Sequence, residues 1–159
     1  MSDAYIRHAK RQLRRSRTSF IVGKAEEIPL SDNSQDAVTS TFLFHELPPK
    51  VRRIALRECA RVLKPGGRLV LLDSLQRGDR PDYEGLLELF PRSYHEPCYS
   101  SYIKGNLASL ASECGLSNLC EARRTFLPKL WFSTNPLREE KAVRHQRLAT
   151  SIPGFSTII

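Results

Sequence analysis

The chain has 159 residues, 40% of them hydrophobic and 26% charged, with a formal net charge of +8. That length supplies one core rather than two, and no apolar run approaches the ~20 residues of a membrane span. The opening MSDAYIRHAKRQLRRSR has no apolar stretch like that of a signal peptide, so a cytoplasmic location is expected.

The elements follow in chain order. Asp3 suits the N-cap of a first helix over Ala4 to Ser16. Six basic residues crowd Arg7 to Arg17. They read either as a nucleic-acid footprint or as the solvated face of that helix, since Ile6, Ala9 and Leu13 fall at helical spacing. TSFIVG, Thr18 to Gly23, is short, β-branched and stopped by glycine, which predicts a strand. AEEIPLSDNSQ is loop-like. DAVTSTFLF, Asp36 to Phe44, predicts a second strand, buried on both faces and so parallel.

Pro48 and Pro49 suit the first turn of a helix. From there Val51, Ile54, Ala55, Cys59, Val62 and Leu63 form an apolar stripe, with Arg52, Arg53, Arg57 and Arg61 largely off it. Lys64-Pro65-Gly66-Gly67 predicts a tight turn out of the helix. RLVLLD, Arg68 to Asp73, predicts a third buried strand. Strand, helix and strand make a parallel crossover unit.

Further on, Tyr83 to Phe90 predicts a short helix. PRSYHEPCYSSY reads as irregular and aromatic. Ile103 to Leu116 predicts a helix ended by Gly115. NLCEARRTF and KLWFSTN predict a hairpin, REEKAVRHQRLA a terminal helix, and TSIPGFSTII no element. Residues 1–135 are expected to form the domain and 136–159 a tail.

The four cysteines at 59, 98, 114 and 120 make no CxxC pair, and no histidine cluster completes a zinc pattern. No metal site is expected. Cys59 lies within a helical pattern as a small buried apolar residue.

GKAEEIPLSDNSQDAVTSTFLFHELPPKVRRIALRECARVLKPGGRLVLLD, Gly23 to Asp73, resembles the second half of a class I S-adenosylmethionine-dependent methyltransferase, closest to the ubiquinone and menaquinone biosynthesis type. The pieces that carry the resemblance are AEEIPL, DNSQDAV, FHEL and RVLKPGG leading into LVLLD. The resemblance implies an α/β, Rossmann-like, doubly wound and mostly parallel sheet of order 3-2-1-4-5-7-6, closed by an antiparallel C-terminal hairpin. The family's acidic-Gly-x-Gly-x-Gly loop has no counterpart among glycines 23, 66, 67, 78, 85, 105, 115 and 154. The chain is therefore expected to lack the first two strands, to be N-terminally truncated, and to be incomplete and inactive alone. Its open sheet edge invites a second copy or a partner chain to complete it.

The resemblance also implies a site. Lys24, Ala25 and Glu26 align with the adenine-contacting loop. Lys24 departs from the acidic pattern, because it offers donors and no acceptor. Phe42, Leu43 and Phe44 would line the cofactor and acceptor pocket or pack in the core. His45 and Glu46 stand at a strand's carboxyl end, where α/β sites lie. His45 has a pKa suited to a catalytic base, or else it is a loop histidine. Asp73 either caps the next turn or faces the pocket. Tyr94, His95, Tyr99 and Tyr102 would form a lid over a flat or apolar acceptor, or a packed surface loop. Three functions stay open: methyl transfer to a small molecule, a non-enzymatic remnant that binds a protein partner, and nucleic-acid binding through the basic helix.

Overall fold

The computed structural model describes residues 3–13, 18–122 and 128–135. Helix α1 spans Asp3–Gln12, strand β1 Gln35–Thr41, helix α2 Pro49–Val62 and strand β2 Leu63–Ser74. A 3-10 turn at Pro81–Tyr83 leads into α3, Glu84–Ser93. Then come α4, Tyr99–Ile103, α5, Leu107–Glu113, β3, Ser117–Ala122, and β4, Pro128–Thr134. The sheet order is β1-β2-β4-β3. β1 and β2 are parallel, and β4 runs antiparallel to both β2 and β3. This is the 4-5-7-6 end of the expected order, with the hairpin where it was expected.

The parallel β1–β2 pair forces the crossover through α2. Pro48 caps α2 and Pro49 is its first helical residue, where a missing N–H costs nothing. The helix buries Arg52, Ala55, Leu56, Cys59 and Val62. The stripe is therefore rotated from the one expected. Ile54 is 44% exposed and Arg52 only 5% exposed. Positions 52, 55, 56, 59 and 62 share one face at three- and four-residue steps, and an arginine occupies the first of them. Burial pushes the Cys59 thiol up to about 12, as for a core residue. Cys59, Cys98 and Cys114 are free thiols.

The Lys-Pro-Gly-Gly segment is not a turn between elements. It lies inside β2, as a bulge. Gln35 pairs with Leu63, and Ala37 already pairs with Arg68. One residue of β1 thus faces four of β2, and Gly66 at φ +80° absorbs the excess. Gly67 is there for space, since a Cβ would sit 2.8 Å from the Lys64 carbonyl oxygen and 3.2 Å from that of Asp36. Asn135 locks the bulge. Its N–H donates to the Gly67 carbonyl at 2.9 Å, and its Nδ2 donates to the Leu63 carbonyl at 2.9 Å.

Several other expectations are corrected. Thr18–Gly23 forms no strand, and Ile21 and Val22 are exposed. A strand needs a neighbour, and no described strand lies beside the outer edge of β1. β1 stops at Thr41 rather than Phe44, because Phe42 turns to φ +52°. The irregular segment contains the end of α3 and all but the last residue of α4. The helix expected over Ile103–Leu116 is split at Gly105. Asn106 begins α5 by accepting the Ser109 N–H at 2.9 Å, and Gly115 at φ +88° follows it. The first helix is shorter than expected. Residues 14–17, the hairpin tip at 123–127 and the 136–159 tail, with its expected helix, lie outside the described residues.

The core joins α2, β1 and β2 to α4 and α5 through Val38, Leu56, Leu69, Leu71, Tyr102 and Leu107. Gly67→Ala is expected to lower the unfolding free energy by about 1–3 kcal/mol, the usual range for overpacking, and with it the urea midpoint. Gly85→Ala, where a Cβ meets nothing within 4 Å, is expected to be neutral or stabilising. Urea unfolding of the two variants separates a packed bulge from a merely flexible one.

Candidate active site

The site begins at the carboxyl ends of β1 and β2. Asp73 is the last residue but one of β2, with its side chain 1% exposed. Oδ2 accepts the Phe44 N–H at 2.7 Å, and Oδ1 accepts the Ser74 N–H at 2.8 Å. Oδ1 also lies 2.7 Å from His45 Nδ1. A carboxylate only accepts, so Nδ1 carries a proton, and in the neutral ring Nε2 carries the lone pair.

His45 is 8% exposed. Its ring meets Tyr99, Tyr102 and Phe42 edge-on, with centroids 5.8, 6.2 and 6.2 Å away. Burial works against its charged form, but the hydrogen bond and charge of Asp73, with the charges of Glu46 and Glu96, outweigh burial. They raise the pKa above its ordinary 6.5.

Arg52 fixes the loop from beneath. Nε donates to the Phe44 carbonyl at 2.9 Å, and Nη2 donates to the Leu47 carbonyl at 2.8 Å. Nη2 also reaches Ser101 Oγ at 3.3 Å, and the guanidinium lies 5.4 Å from the Tyr102 ring centroid. One side chain thus joins the His45 loop to α4. The Tyr102 hydroxyl donates to the Ser74 carbonyl at 2.8 Å, and Ser74 Oγ and the Tyr99 hydroxyl are 2.5 Å apart. Gln76 binds the carbonyls of Tyr102 and Gly105 at 2.8 and 2.9 Å, holding the end of β2 to the α4–α5 junction.

A cavity of about 270 Å3 opens beside His45. Phe42, Leu75, Leu87, Phe90 and Tyr99 form most of its wall, and His45 and Ser74 supply polar atoms. Apolar walls with a few convergent polar groups are the usual form of a small-molecule site.

The expected site residues divide. Phe42, His45 and Tyr99 meet at this cavity. Leu43 is half-buried against the core, and Phe44 is core. Tyr102 is fully buried behind His45. Glu46 is exposed, and its carboxylate approaches His45 and Glu96. Tyr94 is 66% exposed and stacks on Phe90, and His95 is exposed at φ +54°. Tyr99 and Tyr102 are therefore wall and foundation, and only Tyr94 and His95 occupy a surface loop.

Lys24, Ala25 and Glu26 do not reach the cavity. They lie in a turn closed by a Lys24–Glu27 bridge. Lys24 borders a separate shallow hollow with Arg61. Arg61 donates to the Ile28 and Leu30 carbonyls at 2.8 and 2.9 Å and pins that loop. Arg61 is nine residues along α2 from Arg52, or about 14 Å at the helical rise. The turn is thus held at one end of the helix and His45 at the other.

Sequence reasoning missed Arg52, Ser74, Leu87 and Phe90. Arg52 had a readable signal, since it shares the helical face of Ala55, Leu56 and Cys59. Ser74 is legible only once β2 is known to end there.

Asp73→Asn keeps the shape but removes the charge. It is expected to lower the His45 pKa and to cost on the order of 1–3 kcal/mol through impaired buried hydrogen bonds. Because the folded pKa of His45 is raised, its charge stabilises the fold fully below about 6.5, and the benefit fades as pH rises through the folded value. NMR titration of the His45 ring, with thermal melts from mildly acidic to mildly alkaline pH, checks both. The pH slope should shrink in Asp73→Asn and in His45→Gln.

A methyltransferase-domain family profile matches residues 1–71. A demethylmenaquinone methyltransferase of Thermotoga maritima is 52% identical over 56 residues, covering 35% of this chain and 24% of that protein. A ubiquinone/menaquinone biosynthesis C-methyltransferase of Vibrio cholerae is 38% identical over 77 residues, covering 48% of this chain and 27% of that protein. The chain thus spans about a quarter of the length of these relatives. A SAM-dependent methyltransferase structure from Methanosarcina mazei superposes with a TM-score of 0.61 at 22% identity, covering 86% of this chain and 80% of that one. That likeness is one of fold.

Proposed function

The chain belongs to the class I S-adenosylmethionine-dependent methyltransferase family, and from that premise we propose that it supplies the acceptor side of a methyl transfer to a small molecule. The observation that carries this reading is the Asp73–His45 pair opening on an apolar cavity at the strands' carboxyl ends. Methyl transfer is an in-line displacement, so most of its catalysis is alignment and exclusion of water. Phe42, Leu87, Phe90 and Tyr99 would hold a flat or apolar acceptor. His45, with Nδ1 held by Asp73, would take at Nε2 the proton that such an acceptor must lose. Glu46 would add negative charge that favours the imidazolium. Tyr94 and His95 would cover the open side, and the location would be the cytoplasm.

The described residues do not fit the whole cofactor. Among the described residues no closely spaced set of glycines forms the family's cradle, which belongs to a strand that the described sheet does not contain. A Cβ on Gly23 would meet Pro29 at 2.9 Å, while at Gly78 and Gly115 it would meet nothing. Lys24 offers no acceptor for the adenine amino group, and the turn bearing it is anchored away from His45. The described residues alone would therefore hold S-adenosylmethionine only weakly. A second reading rests on the outer edge of β1, unpaired by any described strand. That edge suits a second copy or a partner chain adding a strand, and sedimentation would show it as a dimer or larger assembly.

The acceptor reading is tested with 2-naphthol as a probe, followed by NMR. Amide and ring signals of Phe42, Ser74, Leu87 and Tyr99 should shift together, and Leu87→Trp, which fills the cavity, should abolish the shifts. Shifts confined to other surfaces would defeat the reading. Calorimetry with S-adenosylmethionine should give a dissociation constant no tighter than about 1 mM, roughly 4 kcal/mol of binding.

A further inference from the structure

Three carboxylates face His45: Asp73, Glu46 and Glu96. Asp73 is fully engaged by Phe44, Ser74 and His45. Glu46 and Glu96 are different. Among the described residues neither carboxylate makes a hydrogen bond or an ion pair with a cationic side chain. A nitrogen of His45 and one oxygen of each glutamate lie within 4.8 Å of one another. The guanidinium of Arg52 is turned to the carbonyls of Phe44 and Leu47. His45 and these two carboxylates, neither tied to a lysine or arginine by an ion pair, thus bring three metal-ligating groups to one point at the edge of the buried imidazole.

We propose that His45, Glu46 and Glu96 form a binding site for a divalent transition-metal ion of the zinc type. One imidazole nitrogen and two carboxylate oxygens suit zinc and its first-row neighbours, and three protein ligands leave coordination positions open. Asp73 lies outside the cluster and supplies the outer partner of such sites. By accepting from Nδ1 it fixes the tautomer and leaves Nε2 to ligate. The backbone holds the ligands from two elements. Glu46 sits in the turn closed by its N–H to the Leu43 carbonyl at 3.1 Å, and the Glu96 carbonyl accepts the Tyr99 N–H at 3.2 Å at the start of α4.

Bonds of about 2.0–2.2 Å in a tetrahedron set donor atoms about 3.3–3.6 Å apart. Glu46 is exposed and Glu96 half-buried, so both side chains can rotate inward to that spacing. His45 also lines the cavity, so an open position can face an oxygen or nitrogen ligand held there. A metal on Nε2 and a proton taken by Nε2 exclude each other. The site would convert His45 from base to ligand, and the inference goes beyond the methyl-transfer reading without resting on it.

The test is calorimetric titration of zinc chloride into the untagged full chain, with neither cofactor nor acceptor present. One zinc per chain is expected. Glu46→Gln and Glu96→Gln should each weaken binding at least tenfold, and Asp73→Asn about 10–100-fold. The two glutamate variants should keep the parent melting temperature, because neither carboxylate bonds to the fold. Cobalt(II) in place of zinc should give an absorption spectrum without a thiolate charge-transfer band. No zinc binding, affinity that survives either glutamate substitution, or binding lost in Cys98→Ser would each overturn the site. Since no methyl donor enters the experiment, failure of the methyl-transfer reading would leave its result intact.

Discussion

Asp73 accepts three hydrogen bonds while almost wholly buried, and two of the donors come from the loop that follows β1. An ionised carboxylate in that position is costly unless its lone pairs are filled. Phe44, His45 and Ser74 fill them. The bond from Phe44 forces the chain to turn immediately after β1, which Phe42 permits at φ +52°. The bond from His45 then fixes which ring nitrogen faces outward. Strand end, loop path and tautomer all depend on this one group. An asparagine could accept some of these bonds but could not supply the charge that favours the imidazolium.

The parts legible in sequence were those governed by local chemistry. Pro48-Pro49 marks the start of α2, and the charge-poor run from Asp36 marks a strand of a parallel pair, although only Val38 and Ser40 of it are buried rather than both faces. The hairpin was legible from NLCEARRTF and KLWFSTN flanking Leu127-Pro128. What could not be read were consequences of pairing. Lys64 to Gly67 looks like a turn to any local reading, because positive φ and proline signal one. That it is a bulge depends on Gln35 and Ala37 across the sheet. Thr18 to Gly23 has the composition of a strand, but a strand is made by its neighbour. The site was half legible for the same reason. His45 is marked by standing at a strand end, while the partnership with Asp73 spans 28 residues and needs the parallel register.

Arg52 shows how a helix face can mislead. Four arginines on α2 look alike in sequence, yet they do different work. Arg53 pairs with Glu113 at the surface, where such pairs contribute little. Arg61 gathers Glu58, Asp32 and two loop carbonyls. Burial lowers the Arg52 pKa, against the favourable influence of Tyr102, Cys98 and Asp73, and its donors go to the Phe44 and Leu47 backbone carbonyls of the loop that bears His45. Rotating the stripe to include it explains why Ile54 faces solvent.

Two buried charges of opposite sign therefore grip the loop bearing His45, Asp73 through its N–H groups and Arg52 through its carbonyls. Each is satisfied by polar groups of that loop, so removing either leaves those loop groups without their partner, which is costly where they are buried. An apolar substitute of equal volume would pack as well but would leave the loop's polar groups unpaired. The arrangement favours one geometry of the loop over its alternatives, and that is what a reactive or ligating imidazole requires. The opposite wall of the cavity is held differently. Leu86 and Leu89 of α3 are mostly exposed, and only Leu87 of that helix is buried. With one wall fixed by ionic hydrogen bonds and the other resting on a few apolar contacts, adjustment to an occupant falls to α3, while His45 keeps its place.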